Sequence, residues 1–206
     1  MSGSRPLPRV HAISDAEVLA LDDLGVRAAA LAAGGSAVAL HARDRAATTR
    51  VLIAAAERFV ALARPPEAAV FVNGRPDVAA ALGAHGVQLS GSDLAPHDAR
   101  RVFPRGWIGR SVHSIEEASA AADDGADYLT VGTIYPTPGH PGQGSGVALV
   151  TACATLGLPV IAIGGVTAAR VPELVAAGAY GVAAIRALWH AGDPARAVTQ
   201  FLDHWS

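Results

Sequence analysis

The chain has 206 residues, is 51% hydrophobic and 17% charged, and carries a formal charge of −2; that is enough for one well-buried globule and leaves no basic footprint for nucleic acid. All 16 positions counted as Lys or Arg are arginine, which excludes a lysine Schiff base and a Walker-type phosphate loop. The single cysteine, Cys153, excludes an intramolecular disulfide framework and a cysteine-rich metal centre, and within the Ala-rich "VTACATLG" it reads as a buried structural thiol.

No apolar stretch reaches the roughly 20 residues of a spanning helix. The opening "MSGSRPLPRVHAIS" lacks the apolar core and small-residue cleavage site of a secretory signal. The expectation is a cytoplasmic protein with no membrane or nucleic-acid partner; a homo-oligomer is compatible with the sequence.

In chain order, short runs rich in Val, Ile and Ala predict strands over 10–13, 37–40, 69–72, 86–89, 107–109, 127–131, 159–163 and 180–184. Between them, stretches such as "TTRVLIAAAERFVALA" and "SIEEASAAADDG" have the apolar spacing of helices packed on a sheet. Near-continuous apolar strands of four or five residues suit a parallel sheet buried on both faces. An open doubly wound sheet would satisfy this as well. Eight strand–helix units spread over the chain, at about 26 residues each, favour a compact closed (β/α)₈ barrel. No linker or low-complexity tract divides residues 1–206, so a single TIM-barrel domain is expected.

In such a barrel the site forms at the carboxyl ends of the strands, and the loops after strands seven and eight commonly hold phosphate. Gly164 and Gly165 follow the seventh predicted strand; Ala184 and Ile185 close the eighth. Glycine lets the backbone approach a ligand oxygen closely, and unpaired N–H groups at a helix start favour an anion. The same glycines could simply turn the chain. Arg186 either reaches the same phosphate or points to solvent.

Several stretches together, "VNGRPDVAAALGAHGVQLSGSDL", "IGRSVHSIEEASAAADDGADYLTVGTIYPT", "GQGSGV" and "PVIAIGGVTAARVPELVAAGAYGVAAI", resemble the thiamine phosphate synthase and thiazole tautomerase superfamily of (β/α)₈ barrels. The resemblance spans roughly two thirds of the chain, strands three to eight, and implies a phosphorylated thiazole as substrate, its phosphate on Gly164–Gly165 and Ala184–Ile185. In the second-strand motif the family usually carries arginine and lysine; here those places hold His41 and Arg43.

Two chemistries follow from the resemblance. The synthase joins hydroxymethylpyrimidine pyrophosphate to thiazole phosphate with Mg²⁺ on two carboxylates. Its Asn-Asp-Arg run reads Asn73-Gly74-Arg75 here, so one carboxylate is missing, and the other maps onto Asp93. Taken alone, Asp93 is better read as the cap of the following helix. The loop after strand six keeps Thr137 but has Pro138, Gly139 and His140 where cations are expected.

The tautomerase moves a double bond in thiazole phosphate carboxylate by proton transfer, needs no cofactor, and suits histidine. Asn73-Gly74-Arg75 and "VQLSGS" resemble that branch, making it the leading expectation. Its characteristic histidine is Thr133 here. His140 is the first substitute, His113 the second, and His41 a third candidate better suited to a structural role. Ser111 matches a ligand-contacting serine, and Gln143-Gly144 stand in the place of a glutamate-containing glycine loop. The remaining alternative is a non-catalytic binder of thiazole phosphate or thiamine phosphate.

Overall fold

The computed structural model describes residues 5–63, 67–137, 142 and 144–205. Eight parallel strands close into a barrel in sequence order: β1 (Val10–Ile13), β2 (Val38–Ala42), β3 (Ala69–Asn73), β4 (Gly86–Leu89), β5 (Trp107–Val112), β6 (Tyr128–Val131), β7 (Val160–Ile163) and β8 (Gly181–Ala184). Between β1 and β2 run α1 (Ala16–Leu19) and α2 (Leu24–Ala32). Then α3 (Thr49–Ala63), α4 (Pro76–Ala81), α5 (Pro96–Val102), α6 (Ile115–Asp123), α7 (Val147–Ala154) and α8 (Val171–Ala176) alternate with the strands, and α9 (Arg186–Trp189) and α10 (Pro194–Leu202) follow β8. This is the (β/α)₈ architecture that the repeating pattern predicts. Among the described residues, no helix is long and apolar enough to cross a membrane.

Local chemistry sets the helix starts. Ser114 accepts the N–H of Glu117 at 3.2 Å to cap α6, while Glu117 reaches back to the His113 N–H at 2.7 Å. That reciprocal arrangement satisfies donors the helix cannot. Asp15 and Asp193 cap α1 and α10 in the same way. Asp93 does not cap α5: Pro96 occupies the first turn and the cap position falls on Ala95. Proline is favoured at that first position because its missing N–H would have no partner, so the helix begins later than Asp93 suggests.

Outward strand residues such as Leu40, Val72, Val87 and Ile108 pack against the helices in one continuous core that also buries Cys153. Inside the barrel lies a second cluster of Leu7, Ala39, Ala69, Phe71, Tyr128, Ile161 and Ala183. Gly86 and Gly109 make room for its rings, since a Cβ would stand 2.2 Å from Phe71 and 2.1 Å from Tyr128 respectively. The segment before β1 closes the lower end: Tyr180 donates to the Leu7 carbonyl at 2.7 Å and the Trp107 indole to that of Arg5 at 3.1 Å.

Toward the carboxyl ends the inward positions turn polar, with Asn73, Gln88, Ser111 and Thr130. The fifth strand therefore runs on to Val112, past the 107–109 that apolar patterning predicts. Ser111 interrupts the apolar run because it lines the cavity, and Arg110, on the other face of the strand, because it donates to the Leu94 carbonyl at 3.1 Å.

Candidate active site

Above the polar layer opens one cavity of about 980 Å³, lined from the loops of all the strands from β2 to β8. It is at the upper end of volumes that hold small ligands. Among its lining residues are Arg43, Asn73, Arg75, Asp93, Ser111, His113, Thr133, Thr137, Gly164, Gly165, Ala184, Ile185 and Arg186, nearly all the positions singled out in the sequence. Gly144 is not among them; a Cβ there would meet the Ile134 carbonyl at 2.8 Å, so it backs onto the β6 loop. His140 and Gln143 lie outside the described residues.

At the β7–β8 side, Gly164 and Gly165 have φ of +101° and +63°, a region L side chains rarely adopt. A Cβ on Gly164 would stand 2.5 Å from Thr133 Cγ2, and one on Gly165 2.8 Å from Tyr135 Cβ. The close fit continues in the backbone, where Ile134 and Tyr135 donate N–H to the carbonyls of Ile163 and Gly164 at 2.9 and 3.1 Å. The glycines thus serve packing as well as turning. Their own N–H groups, with those of Ile185 and Arg186, donate to no backbone acceptor among the described residues. Ala184 contributes backbone here, its methyl being packed in the core outside the barrel. The Arg186 side chain is exposed at the rim.

On the β2 side of the cavity stands Arg43. Buried Ser14 fixes the end of β2: its Oγ lies 2.9 Å from the carbonyl oxygens of His41 and Arg43 and accepts the Arg43 N–H at 2.9 Å. The guanidinium is half-buried and has no hydrogen bond or ion pair among the described residues. Burial, followed by the charge of Arg45, lowers its pKa from the ordinary guanidinium value. The charges of Asp15 and Asp44 offset this only in part, and a partly desolvated cation with no hydrogen-bonded acceptor gains when an anion joins it. Arg75, by contrast, is already engaged, with Nε 2.8 Å and Nη2 2.5 Å from the Asp77 carboxylate, and that carboxylate raises its pKa.

Asp93 lies on the β4 loop. Its Oδ2 accepts the Ser90 N–H at 2.6 Å and the Ser90 hydroxyl at 2.7 Å, leaving Oδ1 beside Gly74. A Cβ at position 74 would come within 3.1 Å of that oxygen, so a carboxylate there would have shared the same spot. Among the described residues, no group of three His, Cys, Asp or Glu could hold a metal by itself. A magnesium ion needs only one or two carboxylates when substrate phosphates and water complete its shell. Asp93 fits that sparse role.

The histidines divide sharply. His113 is exposed, and its Nδ1 contacts the Gly132 carbonyl; a carbonyl only accepts, so Nδ1 carries the proton and Nε2 is the basic nitrogen. His41 lies inside the barrel, stacked on Phe71 with ring centroids 4.9 Å apart. Its Nε2 stands 2.8 Å from His11 Nδ1. Burial lowers the pKa of both rings, that of His11 to about 4. Beside them Gln88 links Ser111 at 3.0 Å to Thr130 at 2.9 Å. Sequence reasoning singled out neither His11 nor Ser14 nor Gln88. The available signal for His11 and Gln88 was a polar residue at an inward position of an otherwise apolar strand.

A family model described as thiamine monophosphate synthase matches residues 10–188. The chain belongs to the thiamine monophosphate synthase family. It is accordingly a family of enzymes in which the cavity is to be read. A thiamine-phosphate synthase from Thermus thermophilus is 44% identical over 171 residues, 82% of each chain. Another from Salinispora arenicola is 40% identical over 202 residues, covering 96% of this chain and 97% of its own. Thiamine phosphate pyrophosphorylase from Pyrococcus furiosus superposes with a TM-score of 0.82 at 29% identity, covering 95% and 94% of the two chains. A 3-hexulose-6-phosphate synthase at 20% identity and TM-score 0.67 shares the fold alone. The Thermus and Salinispora relatives are named as synthases, and the tautomerase expectation drawn from Asn73-Gly74-Arg75 finds no specific support in these names.

Proposed function

We propose that the protein is a thiamine-phosphate synthase, coupling hydroxymethylpyrimidine pyrophosphate to thiazole phosphate with release of pyrophosphate. The observation that carries this reading is Arg43, a half-buried cation at the end of β2 with no hydrogen bond or ion pair among the described residues, lining the same cavity as Gly164–Gly165 but on a separate loop. Both candidate reactions bring a second anion, a ring carboxylate in the isomerase substrate and a pyrophosphate in the coupling reaction, and a half-buried guanidinium suits the more highly charged pyrophosphate. The names of the relatives agree with this.

In this reading the free N–H groups of Gly164, Gly165, Ile185 and Arg186 hold the thiazole phosphate, with Ala184 shaping the strand end. Backbone donors in fixed positions lose little freedom when the anion arrives. Arg43 draws the pyrophosphate to the β2 side, with Thr137 as a further contact, and the exposed Arg186 side chain adds its charge at the thiazole-phosphate end. Ser111, oriented by Gln88, and Asn73 meet the rings between the two ends, while Arg75 braces the β3 loop through Asp77. Asp93 would hold Mg²⁺, which when bound offsets the charge on the departing pyrophosphate. With glycine at 74, that hold depends on the pyrophosphate oxygens being present. Thr133 packs the β7 turn and supplies no titrating group.

The test is product formation from the two half-substrates with and without Mg²⁺. Thiamine phosphate should appear only with the metal, and D93N should reduce turnover by on the order of 10². R43Q should raise KM for the pyrophosphate about tenfold or more, as for loss of a charge-assisted hydrogen bond. No product from pure, folded protein would overturn the assignment. A second reading keeps the tautomerase, with the free Nε2 of His113 as base. Isomerisation of thiazole phosphate carboxylate that disappears in H113Q, without coupling, would establish it instead.

A further inference from the structure

The histidine pair makes a continuous line through the barrel. The Pro8 carbonyl lies 3.1 Å from His11 Nε2, His11 Nδ1 lies 2.8 Å from His41 Nε2, and His41 Nδ1 lies 3.1 Å from Oδ1 of Asn73. Asn73 in turn lines the cavity, and its other amide atom has no hydrogen-bond partner among the described residues.

A carbonyl oxygen can only accept, so His11 Nε2 carries a proton. If the ring is neutral, Nδ1 is then bare and can only accept, which requires the proton of His41 on Nε2. His41 Nδ1 is therefore bare too and needs a donor. Only the –NH₂ end of Asn73 can supply one, and the two ends of a side-chain amide have the same shape. Meeting the amide oxygen instead would require a third ring proton, hence a cation shared by two enclosed imidazoles. His11 and His41 are almost wholly inaccessible, at 1% exposure each. Among the described residues no carboxylate is hydrogen-bonded to either ring, Phe71 and Tyr128 flank them, and the charge of Arg43 opposes a cation at His41. Burying a charge under those conditions is costly, so the neutral arrangement prevails.

We propose that His11 is a positioning residue acting through His41 to turn the Asn73 amide, so that position 73 shows the cavity a carbonyl oxygen. The ligand group it selects then bears an N–H or O–H, and a phosphate oxygen is turned away from it. The ligand preference rests on the synthase reading above, but the proton positions do not.

Neutron diffraction on the deuterated wild-type protein at neutral pH reads those positions directly. Deuterium on Nε2 of both rings, none on either Nδ1, and ND₂ of Asn73 toward His41 is the expected result. Deuterium on His41 Nδ1 would overturn the proposal, whatever reaction the protein catalyses. In the synthase assay, H11F should raise KM for one substrate about five- to tenfold with kcat nearly unchanged, as for one neutral hydrogen bond lost. H11Q, whose amide can both donate to Pro8 and accept from His41, should reverse most of that rise. A fall in kcat alone, or an H11Q no better than H11F, would reduce His11 to a filler of the barrel.

Discussion

Lowering the pH should destabilise this protein before its carboxylates are protonated, and the buried histidines set the size of the effect. The ordinary histidine pKa is 6.5, and that of His11 in the fold is about 4. Below 6.5 the unfolded chain binds a proton at His11 that the folded chain refuses until about 4. In that window, therefore, each step down in pH favours unfolding, and the full cost is in place below the folded value. From pH 7.5 to pH 5, linkage through His11 alone removes about 2 kcal/mol of stability. His41 shifts in the same direction and adds to the loss. The carboxylates with lowered pKa values, Asp23, Asp77 and Glu116, act at lower pH and leave this window clear. Urea unfolding followed by far-ultraviolet circular dichroism at half-unit pH steps measures the slope. A folded double variant lacking both imidazoles, H11F with H41L, should show a much flatter dependence. Wild-type stability that stays level between pH 7.5 and pH 5 would refute the picture of two enclosed neutral rings.

Gly164→Ala should cost about 1–3 kcal/mol, because it combines an unfavourable φ with a contact against Thr133; thermal melting measures it, and KM for thiazole phosphate should rise. Gly74→Asp places a second carboxylate by Asp93 Oδ1, at a φ of +72° that aspartate tolerates better than most residues. In the synthase assay it should lower the Mg²⁺ concentration needed for half-maximal turnover. Cys153 is buried and its thiol pKa is raised by that burial. A thiol reagent should therefore leave the native protein unmodified and titrate one thiol once denaturant is added.

The strands were legible because a parallel sheet covered by helices demands apolar residues on both faces, and that demand is local. It weakens where a strand reaches the cavity at Ser111 and where Arg110 turns out to the β4 loop, which is why the predicted strand stopped at 109. The glycines after β7 were legible for a similar reason, although their tight fit against Thr133 and Tyr135 was not. Asp93 was misread as a cap even though Pro96, three residues on, marks the later helix start. His11 could not be recognised from its neighbours. Its meaning comes from the register that sets Ile13 beside His41, and no short window of sequence contains that alignment. The branch expectation drawn from Gly74, which the named relatives do not specifically support, weighed one position as though magnesium required a protein carboxylate there.

The β6 loop and the turn after β7 are interlocked through two backbone hydrogen bonds and two glycines with no spare volume. For anyone recombining this enzyme with a relative, they make a single cassette. A graft that replaces one without the other should lose shape at both, and exchanges intended to alter ring recognition will also disturb how the anion is seated.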